Sequence, residues 1–190
     1  MVRWRPRSRH ASCAASAELE RLRAEVAVLT RETRTDPLTG LLNRRGLLAS
    51  ITESDRGPRL VVAVDLDGLK AVNDAHGHAT GDALIARAAA ELLAAAGPEA
   101  IVARLGGDEF TLVLREADPR LAMRRLRARL MVRASIGIVR WTSGELSDVL
   151  SQADSAMYAD KQSRRRSVPK FETNRSENVT RGATCATLAS

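Results

Sequence analysis

The feature that most constrains the fold of this chain is a pair of short apolar runs, Ala100–Leu105 (AIVARL) and Phe110–Leu114 (FTLVL), with only Gly106-Gly107-Asp108-Glu109 between them. So short a connection, half of it glycine, leaves room for little but a tight reversal. The two runs are therefore predicted to be neighbouring strands of a hairpin. A third run, Arg59–Asp65 (RLVVAVD), follows the turn signal Gly57-Pro58 and ends on a carboxylate. Its unbroken apolar, β-branched stretch marks a buried strand.

Helical patterns alternate with these strands. A helix is expected over about Arg44–Glu53, after the connector Asp36–Arg45. Asp82–Ala96, rich in alanine and leucine, ends at Gly97-Pro98. Pro119–Leu130 reads as a basic helix, Met131–Trp141 as a fourth strand, and Leu146–Gln162 as the last helix. Residues 66–81 are polar and punctuated by glycine, with a short helix inside them. Strands interleaved with helices around one central hairpin imply an α/β sheet covered by helices.

The ends differ from this body. Residues 1–15 read as a disordered basic leader and 167–190 as a disordered tail of Ser, Thr, Asn and Glu, leaving 36–166 as the folded domain. Between leader and domain, residues 16–35 read as an amphipathic helix from Ala17 to Arg34. In it Leu19, Leu22, Val26 and Leu29 form an a/d seam of about two heptads. That seam is too short to pair stably by itself. It either helps join two copies of the chain or packs on its own domain. Asp36-Pro37 breaks the helix.

Net charge is +7, but the excess sits at the ends: residues 1–35 carry +4, residues 161–190 carry +5, and the centre carries −2. A nucleic-acid reader is expected to have a basic folded face and aromatics for stacking. With 3% aromatic residues and a slightly acidic centre, the chain offers no specific nucleic-acid surface. No stretch approaches the roughly 18–20 apolar residues of a membrane span, and no apolar run follows the basic leader as a signal peptide requires. Cys13 and Cys185 form neither a metal-ligand spacing nor a disulfide framework, so the expected compartment is the reducing cytoplasm.

Two acidic positions carry the functional reading. Asp65 ends a strand and Asp108 sits in the glycine hairpin. Should those strands be neighbours, both carboxylates project from one sheet edge as hard oxygen ligands suited to Mg²⁺. Taken singly, Asp65 is equally a strand-end cap and the hairpin an ordinary solvated turn. His76 and His78, with no cysteine or further histidine near them, read as loop-packing residues rather than a metal pair.

Arg104–Phe110 reads RLGGDEF, and here the chain resembles the GGDEF domain of diguanylate cyclases. The resemblance extends to Asp36–Arg45 (DPLTGLLNRR), Asp65–Asp82 (DLDGLKAVNDAHGHATGD), Ala134–Val139 (ASIGIV) and Asp154–Arg165 (DSAMYADKQSRR), in that order. It implies a central, mostly antiparallel sheet covered by helices, the ferredoxin-like palm of nucleotidyl cyclases. It also implies a homodimer that condenses two GTP into cyclic di-GMP with release of pyrophosphate. By position, Asp65, Asp108 and the Leu66 carbonyl would bind Mg²⁺, with Mn²⁺ the alternative ion and Glu109 beside the metals. Asn73 and Asp82 would meet the guanine edge, with His78 nearby. Lys70, Lys161 and Arg165 would neutralise the triphosphate, and Gly106 and Gly107 would let the nucleotide lie against the hairpin. Asp108, Glu109 and Lys70 would form the catalytic set.

The chain departs from that family at several places. An inhibitory Arg-x-x-Asp motif would fall on Gly97 and Ala100, neither of which is charged, so product feedback at that position is not expected. The segment 114–135 is short, as though a β-hairpin were missing. Arg164 replaces a glycine, and Gly68 a bulkier residue. The alternative reading is a weak or inactive GTP-binding regulatory or dimerisation module on the same fold.

Overall fold

In a computed structural model, which describes residues 9–54, 57 and 59–167, the apolar run ending at Asp65 lies inside the sheet. The elements in order are α1 (Arg9–Arg34), α2 (Arg44–Glu53), β1 (Arg59–Leu66), α3 (Leu69–His76) and α4 (His78–Ala96). They continue with β2 (Ile101–Gly106), β3 (Glu109–Leu114), α5 (Pro119–Arg129), β4 (Ala134–Trp141) and α6 (Leu146–Ser167). The strand order is β2-β3-β1-β4, and all three pairings are antiparallel. This is the split β-α-β order of a ferredoxin-like fold: β1 and β2 run the same way, and β3, returning from its hairpin, lies between them.

All eight residues of β1 are buried, which explains its unbroken apolar sequence. Successive side chains serve opposite faces. Leu60, Val62, Val64 and Leu66 join a core with Leu92 of α4 and Leu126 of α5. Val61 and Ala63 join a second core with Leu47 of α2 and Val149 and Ala153 of α6.

Several boundaries differ from the sequence expectation. α1 begins at Arg9, inside the expected leader, because Ala11, Ala14 and Ala15 favour helix. Residues 1–8 and 168–190, which hold the rest of the leader and nearly all of the expected tail, lie outside the described residues. The region 66–81 holds α3 and the start of α4. The Gly77 N–H closes α3 on Asn73 O at 2.9 Å, and α4 begins at once rather than at Asp82. β4 starts at Ala134 rather than Met131, and α6 runs on to Ser167. The short segment after β3 leaves the sheet whole, since β4 pairs with β1 along its length from Trp141 to Ala134. Arg127 braces that connection, donating to Ala134 O at 2.5 Å and to Asp160 Oδ2 at 2.6 Å.

The apolar seam of α1 does not pack on its own domain. Leu19, Leu22, Val26 and Leu29 are 46–61% exposed. The helix is held at its C-terminal end by Asn43, whose Nδ2 donates to Thr33 O at 2.9 Å and Thr35 O at 3.2 Å. The same side chain caps α2, its Oδ1 accepting from Gly46 N at 3.0 Å.

The connector between α1 and α2 also grips the hairpin. Arg104 of β2 donates Nη1 to both Asp36 carboxylate oxygens at 3.1 Å, and Nε and Nη2 to Gly107 O at 3.1 and 2.8 Å. Asp36 further accepts from the Thr39 N–H at 2.9 Å and Oγ1 at 2.7 Å. Burial pushes the Asp36 carboxyl up, but the hydrogen bonds from Thr39 and Arg104 together outweigh it and hold its pKa below the usual range.

A depressed carboxylate adds stability above its unfolded value of about 3.9, and that stability is lost as pH falls through the lower folded value. Asp36→Asn should therefore lower the melting midpoint at neutral pH, and the gap from the parent should close on titration to acid. A gap unchanged between pH 7 and 2 would show that the ionised carboxylate contributes none of it. A second test concerns Gly137 on β4, where an added Cβ would lie 2.2 Å from Ala153 O and 2.3 Å from Met157 N. Gly137→Ala should cost about 1–3 kcal/mol in urea denaturation, because the α6 backbone must back away from the strand.

Candidate active site

The antiparallel register of β1 sets the geometry of the site. Asp65, 8% exposed, stands opposite Glu109 of β3 on one side and Ser135 of β4 on the other. Directly opposed residues share a face of the sheet, and alternation from Val61 and Ala63 puts that face under α6. The hairpin turn is drawn onto the same edge by a bond from Leu66 N–H to Asp108 O at 3.1 Å. Gly107 takes φ +48°, a left-handed conformation that glycine adopts without a Cβ penalty. Asp65, Leu66, Asp108 and Glu109 are thus gathered at one end of the sheet. Asp65 is buried, Asp108 half-buried and Glu109 exposed.

From α6, Lys161 Nζ reaches Asp65 Oδ1 at 2.5 Å, with both side chains largely buried. A carboxylate in so covered a position needs a compensating cation. Arg165 follows one turn later on the same side of α6 and is exposed. Among the described residues, no group of three or more His, Cys, Asp or Glu side chains is placed to enclose a metal ion. The acids present fit Mg²⁺ as an open site instead: few hard oxygen donors, with the remaining positions left to water and phosphate oxygens. The Leu66 side chain belongs to the core, so only its backbone could take part.

The residues expected at the guanine lie on α3 and α4, which follow β1 at the same end. Asn73 is half-buried, and its Oδ1 is shielded from solvent with no hydrogen-bond partner among the described residues. It lies against Gly81 of α4, where a Cβ would come within 1.8 Å of that oxygen. Lys70, His78 and Asp82 are exposed. His78 opens α4 rather than lying in a loop. Gly106 and Gly107 are exposed on the hairpin, and no heavy atom would meet a Cβ at either.

Sequence reasoning missed a layer of supporting contacts. Asp67 accepts from Ser135 Oγ at 2.8 Å, and its N–H donates to Arg133 O at 2.9 Å, tying the segment after β1 to the start of β4. Arg164, read only as a departure, lies 3.3 Å from Asp160 and 3.9 Å from Asp67. Asp160 also accepts from Ile136 N–H at 3.0 Å, which fixes α6 against β4. Asp67 was within reach of inspection, two residues beyond Asp65 in the same acidic segment. The Arg127–Asp160–Arg164 cluster joins two helices and gives no local signal. Arg104, part of the hairpin sequence, is the brace that holds its turn.

Comparison with known proteins agrees with this geometry. The family profile described as diguanylate cyclase, GGDEF domain, matches residues 33–167. A 19.3 kDa protein of the repSA 5′ region in Streptomyces ambofaciens is 40% identical over 162 residues, covering 75% of this chain and 88% of that protein. The diguanylate cyclase DgcP of Escherichia coli K12 is 32% identical over 169 residues, but the matched region spans 49% of its length. For the probable diguanylate cyclase DgcE of the same organism the identity is 34%, over 14% of its length. Among solved structures, the coiled coil and GGDEF domain of DgcB from Caulobacter crescentus, in complex with c-di-GMP, superposes with a TM-score of 0.68 at 27% identity. That match covers 80% of this chain and 92% of DgcB. The Pseudomonas aeruginosa diguanylate cyclase SiaD, solved with its activator SiaC, gives 0.66 at 27% identity, covering 80% of this chain and 67% of SiaD. With the hairpin, the acidic strand end and the closing helix in one arrangement, and most of its length matched, the chain belongs to the GGDEF-domain family of diguanylate cyclases.

Proposed function

We propose that this chain condenses two GTP molecules into cyclic di-GMP and pyrophosphate, each of two subunits supplying half of the site. The observation that carries this reading is the convergence of Asp65, Asp108 and Glu109 at one sheet edge with Lys161 seated on Asp65. In the proposed mechanism the 3′-hydroxyl of one GTP attacks the α-phosphate of the other. Pyrophosphate leaves, and the exchange then repeats in the opposite sense.

Asp65, Asp108 and the Leu66 carbonyl would hold Mg²⁺ or Mn²⁺, with Glu109 beside them. When bound, the ion supplies Lewis-acid stabilisation of charge on the transferring phosphorus centre. The chain's own groups do the rest. Lys161 and Arg165, one turn apart on α6, offer cations to the triphosphate, and Lys70 adds a third from α3. Asn73, whose amide oxygen has no partner among the described residues, and Asp82 give hydrogen-bonding capacity toward a purine edge, with His78 beside them. The open face at Gly106 and Gly107 lets the nucleotide approach the hairpin backbone. Asp108 takes the proton of the attacking hydroxyl.

The exposed seam of α1 gives the second subunit a place to dock. Leu19, Leu22, Val26 and Leu29 remain uncovered by their own domain, and the helix extends away from its tether at Asn43. The similarity to DgcB, solved with a coiled coil joined to its GGDEF domain, supports pairing through this helix. Such an enzyme would act in the cytoplasm, where GTP is available. Among the described residues, no helix is long and apolar enough to cross a membrane.

Incubation of the purified chain with GTP and Mg²⁺ should yield cyclic di-GMP and pyrophosphate. Asp108→Ala should reduce product by about 100-fold or more while circular dichroism stays native, since the residue sits in a turn. GTP that binds without turnover would favour the regulatory-module reading instead. Leu22→Lys with Leu29→Lys should lower activity most at low protein concentration and leave the domain's melting midpoint unchanged. Activity independent of both dilution and the seam would remove α1 from the assembly.

A further inference from the structure

The end of the sheet opposite Asp65 carries a second concave feature. Arg59 begins β1, Trp141 ends β4, and the two are register partners. Arg59 is 6% exposed. Its guanidinium lies over the Trp141 ring, 5.9 Å from the centroid. Its Nη2 is buried and has no hydrogen-bond partner among the described residues. A ring face can offset part of the charge, but it offers no acceptor to the in-plane N–H groups. A guanidinium taken out of water is ordinarily matched by an anion.

A cleft of about 650 Å³ opens beside this residue, lined in part by Trp141, Thr142, Ser143, Glu145 and the first residue of α6, Leu146. Trp141 Nε1 donates to Gly144 O at 3.2 Å, which fixes the lining turn. The first turn of α6 brings backbone N–H groups that a helix leaves without internal partners. Asp148, in that turn, is not among the residues lining the cleft. Six steps along β1 at about 3.3 Å each place the cleft about 20 Å from Asp65, so it is separate from the candidate active site.

We propose that this cleft is a binding site for an oxyanion, a phosphate or carboxylate group borne by a small molecule, with Arg59 as its counter-charge. Thr142 and Ser143 add hydroxyl donors. Glu145, an exposed residue of the lining, disfavours a second negative group and selects ligands whose remaining part is neutral or cationic. Seating the ligand shifts the guanidinium or the indole slightly, which makes Trp141 a reporter.

The test uses the full chain carrying Trp4→Phe, which leaves Trp141 as the sole tryptophan. Inorganic phosphate and acetate are titrated at ionic strength held constant with chloride, following Trp141 emission and the melting midpoint. The site predicts a saturable response to at least one of the two, and the more effective one names the preferred group. Arg59→Met should weaken that response about tenfold or more. In chloride alone the same variant should melt no lower than the parent, because an uncompensated buried charge has been removed. Arg59→Lys, which keeps the charge without the planar fork, should fold and respond more weakly. Lys161→Met should keep the response. Absence of saturation with either oxyanion overturns the proposal. So does a response lost in Lys161→Met but kept in Arg59→Met, which would place the anion at the other end of the sheet. An Arg59→Lys chain that responds like the parent also overturns it. Binding is read without turnover, so the outcome is independent of whether the chain is a cyclase.

Discussion

The pairing of Asp65 with Lys161 is the constraint on which the site depends. β1 is covered on both faces and along both edges, so a carboxylate at its end has little water to lean on. Its compensating charge comes from α6, the last element of the described fold, and therefore only after the chain has closed over the sheet. The strand end and the closing helix are thus a single electrostatic unit. In the proposed function a triphosphate would compete with Asp65 for the same lysine, and its binding would then bear on how α6 is held.

Much of the fold was legible in the sequence because its signals are local. The glycine hairpin, the continuous apolar run of β1 and the capped helix α2 all depend on neighbouring residues, and each stands where its pattern predicted. The boundary between α3 and α4 was not legible. His78 and Thr80, set between Gly77 and Gly81, carry no strong helical signal, and the start of α4 packs against α3. The direct opposition of Asp65 and Glu109 was likewise beyond local reading, since it depends on β1 lying between β3 and β4.

The site divides along similar lines. Its acids and lysines could be singled out from the sequence and the resemblance it carries. What steadies them could not, because Arg104 with Asp36, Ser135 with Asp67, and Arg127 with Asp160 join residues far apart in the chain. Arg164 shows the limit most clearly. Read as the loss of a glycine, it is a side chain within reach of both Asp160 and Asp67.

The joint at Asn43 has a mechanical consequence. One side chain closes the end of α1 and caps the start of α2, so the two helices share a stiff hinge pin rather than a loose tether. The 26 residues of α1 make an arm, which at about 1.5 Å per residue is roughly 39 Å long. A few degrees of rotation at its far tip would swing the folded domain through several ångströms. Under the proposed pairing of two subunits, control applied to that arm could change how their sheet edges face each other without altering a residue of the candidate site.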